Sequence, residues 1–370
     1  IEMPECQYGK ECYRRCKRHI KEFHPEKIEK KVGKDKENTR EAKVTEERKR
    51  EGEEVEGKEE KRRKEEEGTS KDKPSTCSLP TRSPFLPQPQ FVYDLFDRAK
   101  QLKEDDPCNA FSSLSGTRLV GFFDYLDGRL GESSDDEIRI HSRYPTDLPE
   151  MQTVIVTSTG RYSLWRDEPS TENPLIVYTK HSDVHFPKFE VVGDNLLQAL
   201  CHAAERKDDS ARFTKWFPDE EVDDLRERAK RTAKKRTKEG VGRPLHGARI
   251  WVKVEKDIGY RSLGVDNSKV KRDLKEFGET EDEGKRKKLM AAIREISTNV
   301  ELANDECDFG MGLEWGHDLW TANYERIDAM AKRTLATAYT LLDRGEFLHI
   351  LNACFPNGNR LRMDVAPSVQ

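Results

Sequence analysis

The chain has little apolar sequence and lacks any apolar run long enough to cross a membrane. Apolar residues make up 34% of its 370 residues and charged residues 37%, a composition too polar for one compact globule throughout. A spanning helix needs about 20 consecutive apolar residues, so we expect no contact with a membrane interior. No signal peptide is visible, although the chain begins at Ile1 rather than at a methionine, which leaves an upstream segment open.

The chain also lacks a disulfide framework and a nucleotide-binding fingerprint. Its eight cysteines are scattered without the regular spacing of a disulfide-rich scaffold, which favours a reducing, intracellular compartment. No glycine-rich phosphate loop and no dinucleotide motif occur along the sequence. We therefore expect that this chain is not an enzyme on its own.

The net charge of −4 conceals three zones of different composition. Residues 1–25 are dense in cysteine, histidine and aromatic side chains. Residues 26–83 are mostly lysine, arginine and glutamate up to a proline-rich end, and they cannot bury enough apolar surface to offset their ordering entropy. We predict a disordered charged linker there, in preference to a nucleic-acid-binding tail or a nuclear-import patch at Lys61–Lys64. Residues 84–370 are predicted to be folded, with a subdivision near 210–245.

The folded zone predicts an α+β fold, with strands early and long helices late. Runs of β-branched and aromatic residues bounded by turn residues predict strands at 153–156, 175–178 and 248–254. Helical character predicts long helices over about 219–238, 283–303 and 322–344. No repeated strand–helix–strand unit is present, which argues against a parallel α/β sheet.

The helix predicted at 219–238 is basic from Arg226 to Lys238. A basic helix face is one feature of nucleic-acid sites, but a solvated helix face is the more common reason for such a run. From the sequence we favour the solvated face.

Four residues near the N-terminus have the spacing of a metal site: Cys6, Cys12, His19 and His24. Two thiolates and two imidazoles complete a closed tetrahedral zinc site. A segment with so few core residues needs a bound metal ion to fold. Cys16 is an alternative ligand at a less suitable spacing. Because all four positions are filled by protein, we predict a structural zinc ion rather than a hydrolytic one.

The same segment resembles the poly(ADP-ribose)-binding zinc finger. The resemblance rests on the run Cys6-Gln7-Tyr8-Gly9-Lys10-Glu11-Cys12-Tyr13-Arg14 and on Pro25 after the second histidine. It implies that the adenine and phosphates of ADP-ribose are held by Tyr8, Tyr13 and Arg14. The chemistry agrees, since aromatic faces stack on bases and arginine binds phosphate through two hydrogen bonds.

An acidic, glycine-containing block, Asn304–Glu314, follows the helix predicted at 283–303. It places three carboxylates after a helix C-terminus, where the macrodipole disfavours negative charge, and no lysine or arginine lies inside it. Gly310 and Gly312 predict a loop that turns sharply. Three interpretations are open: a solvated acidic loop, a carboxylate with a raised pKa acting as a general base, and a divalent-cation site. The cation site would use Asp305, Glu306, Asp308 and Glu314.

The run Ala303–Glu314 resembles the signature of the histone PARylation factor 1 family. Shorter stretches between residues 90 and 350 also match: Leu119–Gly121, Gln152–Ile155, His246–Ala248 and Asp257–Arg261. The resemblance implies an accessory protein that binds the catalytic domain of DNA-damage poly(ADP-ribose) polymerases and completes their active site. It would direct ADP-ribosylation onto serine, notably in histone tails, in the nucleus and on chromatin at DNA damage sites.

The resemblance also implies roles for individual residues. The family's catalytic glutamate falls on Glu306, with Asp305 beside it, and its interface arginine falls on Arg261. The neighbouring partner-binding candidates are Tyr260, Asp257 and Asp308. Glu306 would accept the proton of a serine hydroxyl, a weak nucleophile that needs a positioned base, while the polymerase holds NAD. The implied partners are the polymerase catalytic domain, histones and poly(ADP-ribose), and direct DNA binding is not required.

An alternative of a different class stays open. The chain would then be a reader of poly(ADP-ribose) or chromatin, recruited through its finger, and the acidic block would be only structural. A change at Glu306 separates the two hypotheses, because only a co-catalytic factor would lose serine modification.

We predict that residues 1–25 bind one zinc ion and fold only with it, because the segment has a two-cysteine, two-histidine pattern and almost no core. Metal analysis of the purified peptide should find stoichiometric zinc, and a peptide without it would contradict the prediction.

With zinc retained, Arg14→Ala should weaken poly(ADP-ribose) binding because a bidentate phosphate contact is lost. Unchanged polymer binding by that variant would show that the finger is not the reader.

Overall fold

The computed structural model describes residues 84–218 and 220–362. The proposed zinc ligands, the ADP-ribose contacts and the charged linker lie outside these residues, so their assignments stay predictions. The described residues contain eleven α-helices and one five-stranded antiparallel sheet. This is the α+β fold that the sequence predicts, with the strands ahead of the long helices.

The sheet is a meander in which each strand pairs with the next one along the chain. Its strands are β1 (Arg118–Leu119), β2 (Met151–Val156), β3 (Gly160–Trp165), β4 (Leu175–Lys180) and β5 (Glu190–Gly193). All four pairings are antiparallel. β2 is buried at every position, in keeping with its β-branched run. The strands predicted at 153–156 and 175–178 are confirmed.

Six helices of the described residues precede residue 240 in the chain. They are α1 (Gln90–Leu102), α2 (Phe122–Leu126), α3 (Asp135–Ile140), α4 (Leu196–Glu205), α5 (Ser210–Trp216) and α6 (Val222–Glu239). Apolar residues of α1 and α4 form one hydrophobic cluster with strand residues such as Val154 and Tyr162. α6 packs against α4 and β5 and confirms the helix predicted at 219–238. The predicted subdivision near 210–245 stays a prediction.

Five further helices of the described residues follow after residue 266. They are α7 (Asn267–Glu279), α8 (Glu283–Asp305), α9 (Phe309–Ala322), α10 (Glu325–Leu341) and α11 (Gly345–Ala353). α9 is buried from Gly310 to Ala322, and α7, α8 and α10 pack against it. The sequence predicts α8 and α10 but misses α9, because three glycines in fourteen residues weaken its helical signal. Within the described ranges, no helix has both the length and the apolar character that crossing a membrane would require.

The strand predicted at 248–254 is wrong. The described residues of this segment form no strand, and Ile250 makes a single bridge with Val241. Alternate residues Ala248, Ile250 and Val252 are nevertheless buried, where they join the helical hydrophobic cluster. Alternation therefore reports an extended chain with one buried face, whether or not a neighbouring strand is present.

A buried polar network connects α9 with the turn before β2. Glu150 Oε1 lies 2.9 Å from His317 Nε2, and Tyr339 Oη donates to Glu150 Oε2 at 2.7 Å. His246 Nε2 lies 3.2 Å from His317 Nδ1. Burial alone would raise the pKa of Glu150, but the charge of His317 and hydrogen bonds from His317 and Tyr339 hold it below its usual value. The carboxylate is tolerated in the core because both of its oxygens have partners.

Candidate functional site

The acidic block forms a tight junction between two helices. α8 ends at Asp305, Glu306 caps it, and α9 begins at Phe309. The prediction of a loop around Gly310 and Gly312 is wrong, because both glycines lie inside α9. Glycine disfavours a helix in an isolated sequence, but burial of the whole helix outweighs that preference here.

Cys307 makes the turn between these helices. Its φ of 69° lies in the left-handed region. The amide of Asp308 donates to the carbonyl of Ala303 at 2.8 Å, and the amide of Cys307 donates to that of Asn304 at 3.1 Å. This is the hydrogen-bond pattern of a Schellman cap. The cap fixes the backbone that carries Glu306.

The segment before Arg261 approaches the start of α9 closely through its backbone. The amide of Gly259 donates to Asp308 Oδ1 at 2.9 Å, and the amide of Gly310 donates to the carbonyl of Gly259 at 2.9 Å. A Cβ atom on Gly310 would lie 2.9 Å from that carbonyl oxygen and 2.7 Å from Val252 Cγ2. Gly310 is therefore needed because any larger residue would push this segment away.

A tight turn presents Asp257 beside this contact. Glu255 and Ile258 exchange two backbone hydrogen bonds of 2.9 and 3.0 Å. Between them, Lys256 and Asp257 have φ values of 52° and 63°, and two consecutive left-handed residues are typical of a type I′ turn. Asp257 is exposed. The structure thus holds this partner-binding candidate in a defined and accessible position, and its role stays a prediction.

Arg261 bridges the two carboxylates on either side of Cys307. Its Nη2 contacts Glu306 Oε2 and lies 3.1 Å from Asp308 Oδ2. No lysine or arginine lies inside the acidic block, as the sequence shows, and the cation that pairs with Glu306 comes from 45 positions earlier in the chain. The side chains of Arg261 and Glu306 are each 47% exposed, and the hydrogen bond to Glu306 raises the pKa of Arg261. Asp308 is buried, so its contacts hold the neighbouring segments in place, and its proposed contact with a partner stays a prediction.

Tyr260 and Glu314 form a second contact between the same two parts of the chain. Tyr260 Oη donates to Glu314 Oε2 at 2.7 Å, and the amide of Arg243 donates to Glu314 Oε1 at 2.7 Å. Glu314 is buried. Burial and the nearby Glu314 carboxylate raise the pKa of Tyr260. Tyr260 therefore acts within the chain as an anchor for the Arg261 segment, and its proposed contact with a partner stays a prediction.

The four carboxylates of the suggested divalent-cation site do not converge. The oxygens of Glu314 are occupied by Tyr260 and Arg243, and those of Asp308 by Gly259 and Arg261. In the described part of the chain, no group of three or more histidine, cysteine or acidic residues is arranged to hold a metal. The cation-site interpretation of this block is therefore wrong.

Two exposed apolar side chains accompany the ion pair. Leu302, one helical turn before Glu306, is 53% exposed, and Val254, just before the Asp257 turn, is 43% exposed. They are two of the five large hydrophobic residues exposed within the described ranges. Sequence reasoning missed both, although an apolar residue on the outer face of a helix beside Asp305 was an available signal. Apolar groups exposed among charges are common at protein interfaces.

These features define a class of site. The exposed Glu306 stands on a helix junction whose backbone is fixed by hydrogen bonds, and its neighbours are charged and apolar groups on an open surface. Small-molecule sites are typically concave and enclosing. This arrangement is instead suited to contact with another macromolecule.

Comparison with known proteins identifies the family. The model of the family described as Histone PARylation factor 1 matches residues 82–357. Histone PARylation factor 1 of Bos taurus is 30% identical over 302 residues, which cover 75% of this chain and 86% of the relative. The Danio rerio protein is 30% identical over 301 residues, covering 77% and 86%, and that of Mus musculus is 31% identical over 292 residues, covering 72% and 82%. The chain belongs to the histone PARylation factor 1 family.

Two glycine substitutions in α9 test the close approach described above. Gly310→Ala should lower the free energy of unfolding by about 1–3 kcal/mol, since its methyl group would overlap the Gly259 carbonyl and force the two segments apart. Gly312→Ala is the matched control. There the new methyl would meet its nearest atoms only at 3.4 Å, and helix propensity favours alanine by up to about 1 kcal/mol. Chemical denaturation of both variants measures the difference, and equal stabilities would contradict the packing argument.

Proposed function

We propose that this chain is an accessory, co-catalytic factor in histone PARylation. It would bind the catalytic domain of DNA-damage poly(ADP-ribose) polymerases, complete their active site and direct ADP-ribosylation onto serine of histones. Family membership supports the accessory role in histone PARylation. The observation that carries the co-catalytic part is the exposed Glu306 on its fixed junction, paired with a single exposed arginine.

The chemistry needs a base and an electrophile from different proteins. The polymerase holds NAD, and this chain supplies the Glu306 carboxylate. As the serine Oγ forms its bond to C1″ of the ribose, the bond to nicotinamide breaks and nicotinamide leaves with the electron pair. Glu306 accepts the serine proton. No nucleotide contact from this chain is required.

Arg261 couples docking to release of the base. In the isolated chain the guanidinium contacts Oε2 of Glu306, so one of the two oxygens that could accept the serine proton is occupied. Because both side chains are about half exposed, the pair contributes about 1 kcal/mol or less and opens easily. An arginine at the centre of a protein interface often contributes about 2 kcal/mol or more. An acidic partner group that takes Arg261 would therefore free Glu306 in the same step.

The acceptor is proposed to be a basic histone segment. Asp305 and Glu306 lie side by side at the end of α8, and their charges would attract a lysine next to the acceptor serine. Asp308 is buried and hydrogen-bonded, so it is better suited to position Arg261 than to meet a substrate. The nucleus, and chromatin at DNA damage sites, is the proposed location.

The alternative function is a poly(ADP-ribose) or chromatin reader with no catalytic contribution. Two residues of the acidic block favour this alternative, because Asp308 and Glu314 anchor neighbouring segments of the chain. Within the described residues the Glu306 side chain makes no such anchoring contact beyond its exposed pair with Arg261, and this difference favours the co-catalytic proposal.

The base assignment is tested at Glu306. Glu306→Gln keeps the shape of the side chain but cannot accept a proton, so serine modification of a histone peptide should fall about a hundredfold or more. Glu306→Ala should behave alike, and both should keep polymerase binding, since a half-exposed side chain outside the core is changed. Modification is measured with the activated polymerase, NAD and the peptide. A Gln variant that binds the polymerase and modifies serine at the unaltered rate would show that Glu306 is not the base.

The docking role is tested at Arg261. Arg261→Ala should weaken polymerase binding by about 2 kcal/mol, which is roughly thirtyfold in Kd. Loss of its contact with the buried Asp308 should lower the free energy of unfolding by about 1–3 kcal/mol. Arg294→Ala, at an exposed arginine elsewhere on α8, removes the same charge and serves as the control. Titration calorimetry with the polymerase catalytic domain gives both affinities. Equal affinities for the two variants would reject docking through Arg261.

A further inference from the structure

The exposed face of α6 carries a run of positive charge that the proposed function does not use. From residue 228 to residue 238, six long side chains are exposed and all are cationic: Arg228, Lys230, Arg231, Lys234, Lys235 and Lys238. The acidic residues of this helix lie at its two ends, in the first turns and at Glu239. The sequence shows a basic helix, and the structure shows that its charges lie on the solvent side.

The opposite side of α6 is fixed to the rest of the fold. Arg236 is buried and forms a two-pronged ion pair with Asp167, at 2.5 and 2.7 Å. Thr232 Oγ1 donates to Asp194 Oδ2 at 3.1 Å, and Leu225 is buried. The cationic face is thus presented by a rigid helix rather than by a flexible tail.

The exposed cations are poorly neutralised within the described part of the chain. Lys234, Lys235 and Lys238 form no ion pair there. Arg228 and Arg231 share the carboxylate of Asp224, and each lies 3.9 Å from one of its oxygens. Lys230 is paired with Glu227 at 2.7 Å. The helix therefore keeps an excess of positive charge over its last three turns.

Helix stability does not account for this arrangement. The macrodipole favours cations only near the last turn, whereas these residues begin three turns earlier. Several of them stand four residues apart, as do Lys230 with Lys234, Arg231 with Lys235, and Lys234 with Lys238. Like charges at this spacing destabilise a helix. A bound polyanion would relieve that repulsion.

We propose that the face of α6 from Arg228 to Lys238 binds the phosphate backbone of duplex DNA without reading its sequence. At 1.5 Å per residue the face is about 15 Å long, which spans roughly four to five phosphates of one strand at 3.4 Å rise each. The proposal rests on the proposed function in one respect: a factor that acts on histones works where DNA is wrapped around them.

The composition of the face selects the duplex over other polyanions. None of its six exposed side chains is aromatic, whereas single strands and adenine-containing polymers are usually held by stacking on aromatic rings. An anionic membrane would be bound by a helix with an exposed apolar face, but the apolar side of α6 is packed against α4 and β5. Lysine and arginine alone are suited to sequence-independent contact with phosphates.

The segment that follows α6 connects the basic face to the candidate site. After Gly240 the backbone reaches Arg243, which is exposed and whose amide donates to Glu314. Glu314 accepts from Tyr260, the neighbour of Arg261. DNA held on α6 would therefore be bound by an element anchored to the Glu306 junction through few intervening contacts.

The test removes the three lysines that have no ion pair, in the full chain. The triple variant Lys234→Gln, Lys235→Gln and Lys238→Gln should bind a fluorescent 20-base-pair duplex at least tenfold more weakly at 0.1 M salt. The slope of log affinity against log salt should become shallower by about two to three, since each neutralised phosphate contributes about 0.9. The thermal midpoint should stay equal or rise, because repulsion is relieved and no contact is lost.

A second triple variant controls for net charge. Lys269→Gln, Lys275→Gln and Lys288→Gln remove the same charge from exposed positions on α7 and α8 that have no ion pair within the described residues. This control should keep the affinity and the salt slope of the unaltered chain. Equal losses in the two triples, or an unchanged slope in the α6 triple, would overturn the proposal.

Two further measurements are needed. One distinguishes duplex DNA from other polyanions, and the other tests the proposed function separately from DNA binding. Loss of poly(ADP-ribose) or single-strand binding in the α6 triple, with duplex binding intact, would overturn the choice of duplex DNA. Serine modification of a free histone peptide should be unchanged in the α6 triple, because such a peptide carries no DNA for the α6 face to hold. Failure of that peptide reaction in the unaltered chain would count against the proposed function and leave the duplex result to be judged separately.

Discussion

The hydrogen bond from the Gly259 amide to the Asp308 carboxylate determines how the candidate site is built. It joins two segments that lie 49 positions apart, and the second oxygen of the same buried carboxylate faces Arg261. A buried carboxylate is tolerated only when its oxygens have partners. Asp308 thus needs both contacts, and both contacts bring Arg261 to Glu306. Together with the Gly310–Gly259 and Tyr260–Glu314 hydrogen bonds, Asp308 places Arg261 and the Asp257 turn against α9.

The fold places its two kinds of ion pair where their strengths are useful. Glu150 and His317 are buried with every carboxylate oxygen bound, and breaking such a pair typically costs about 3–5 kcal/mol. Arg261 and Glu306 are half exposed, so their pair contributes about 1 kcal/mol or less. The buried pair suits a permanent role in the core. The exposed pair suits a contact that another protein is to open, which is what the proposed function requires of it.

The sequence predicts what depends on local pattern and fails where distant residues meet. The α+β class, β2, β4, α6 and α8 all follow from periodicity and β-branched runs within a few residues. The helical state of Phe309–Ala322 could not be predicted, because two of its glycines are explained only by contacts with distant parts of the chain, Gly310 with Gly259 and Gly316 with Leu335. The partner of Glu306 was missed for the same reason. Glu306 was identified as the candidate base through the family resemblance, since composition alone left three interpretations of the acidic block open.

A residue that completes another protein's active site has to be in position before the partner arrives. Glu306 satisfies this through its backbone, which the Schellman cap at Cys307 fixes independently of any side chain. Its side chain stays half exposed and, among the described residues, is restrained by Arg261. A rigid backbone keeps the entropy lost on docking small, while a weakly held side chain keeps the base available. The same division between a fixed frame and a free charged surface is seen in α6, where Arg236 anchors the helix and the lysines face solvent. The net charge of −4 conceals this arrangement, because the acidic residues beside Arg261 and the basic face of α6 largely cancel in the sum.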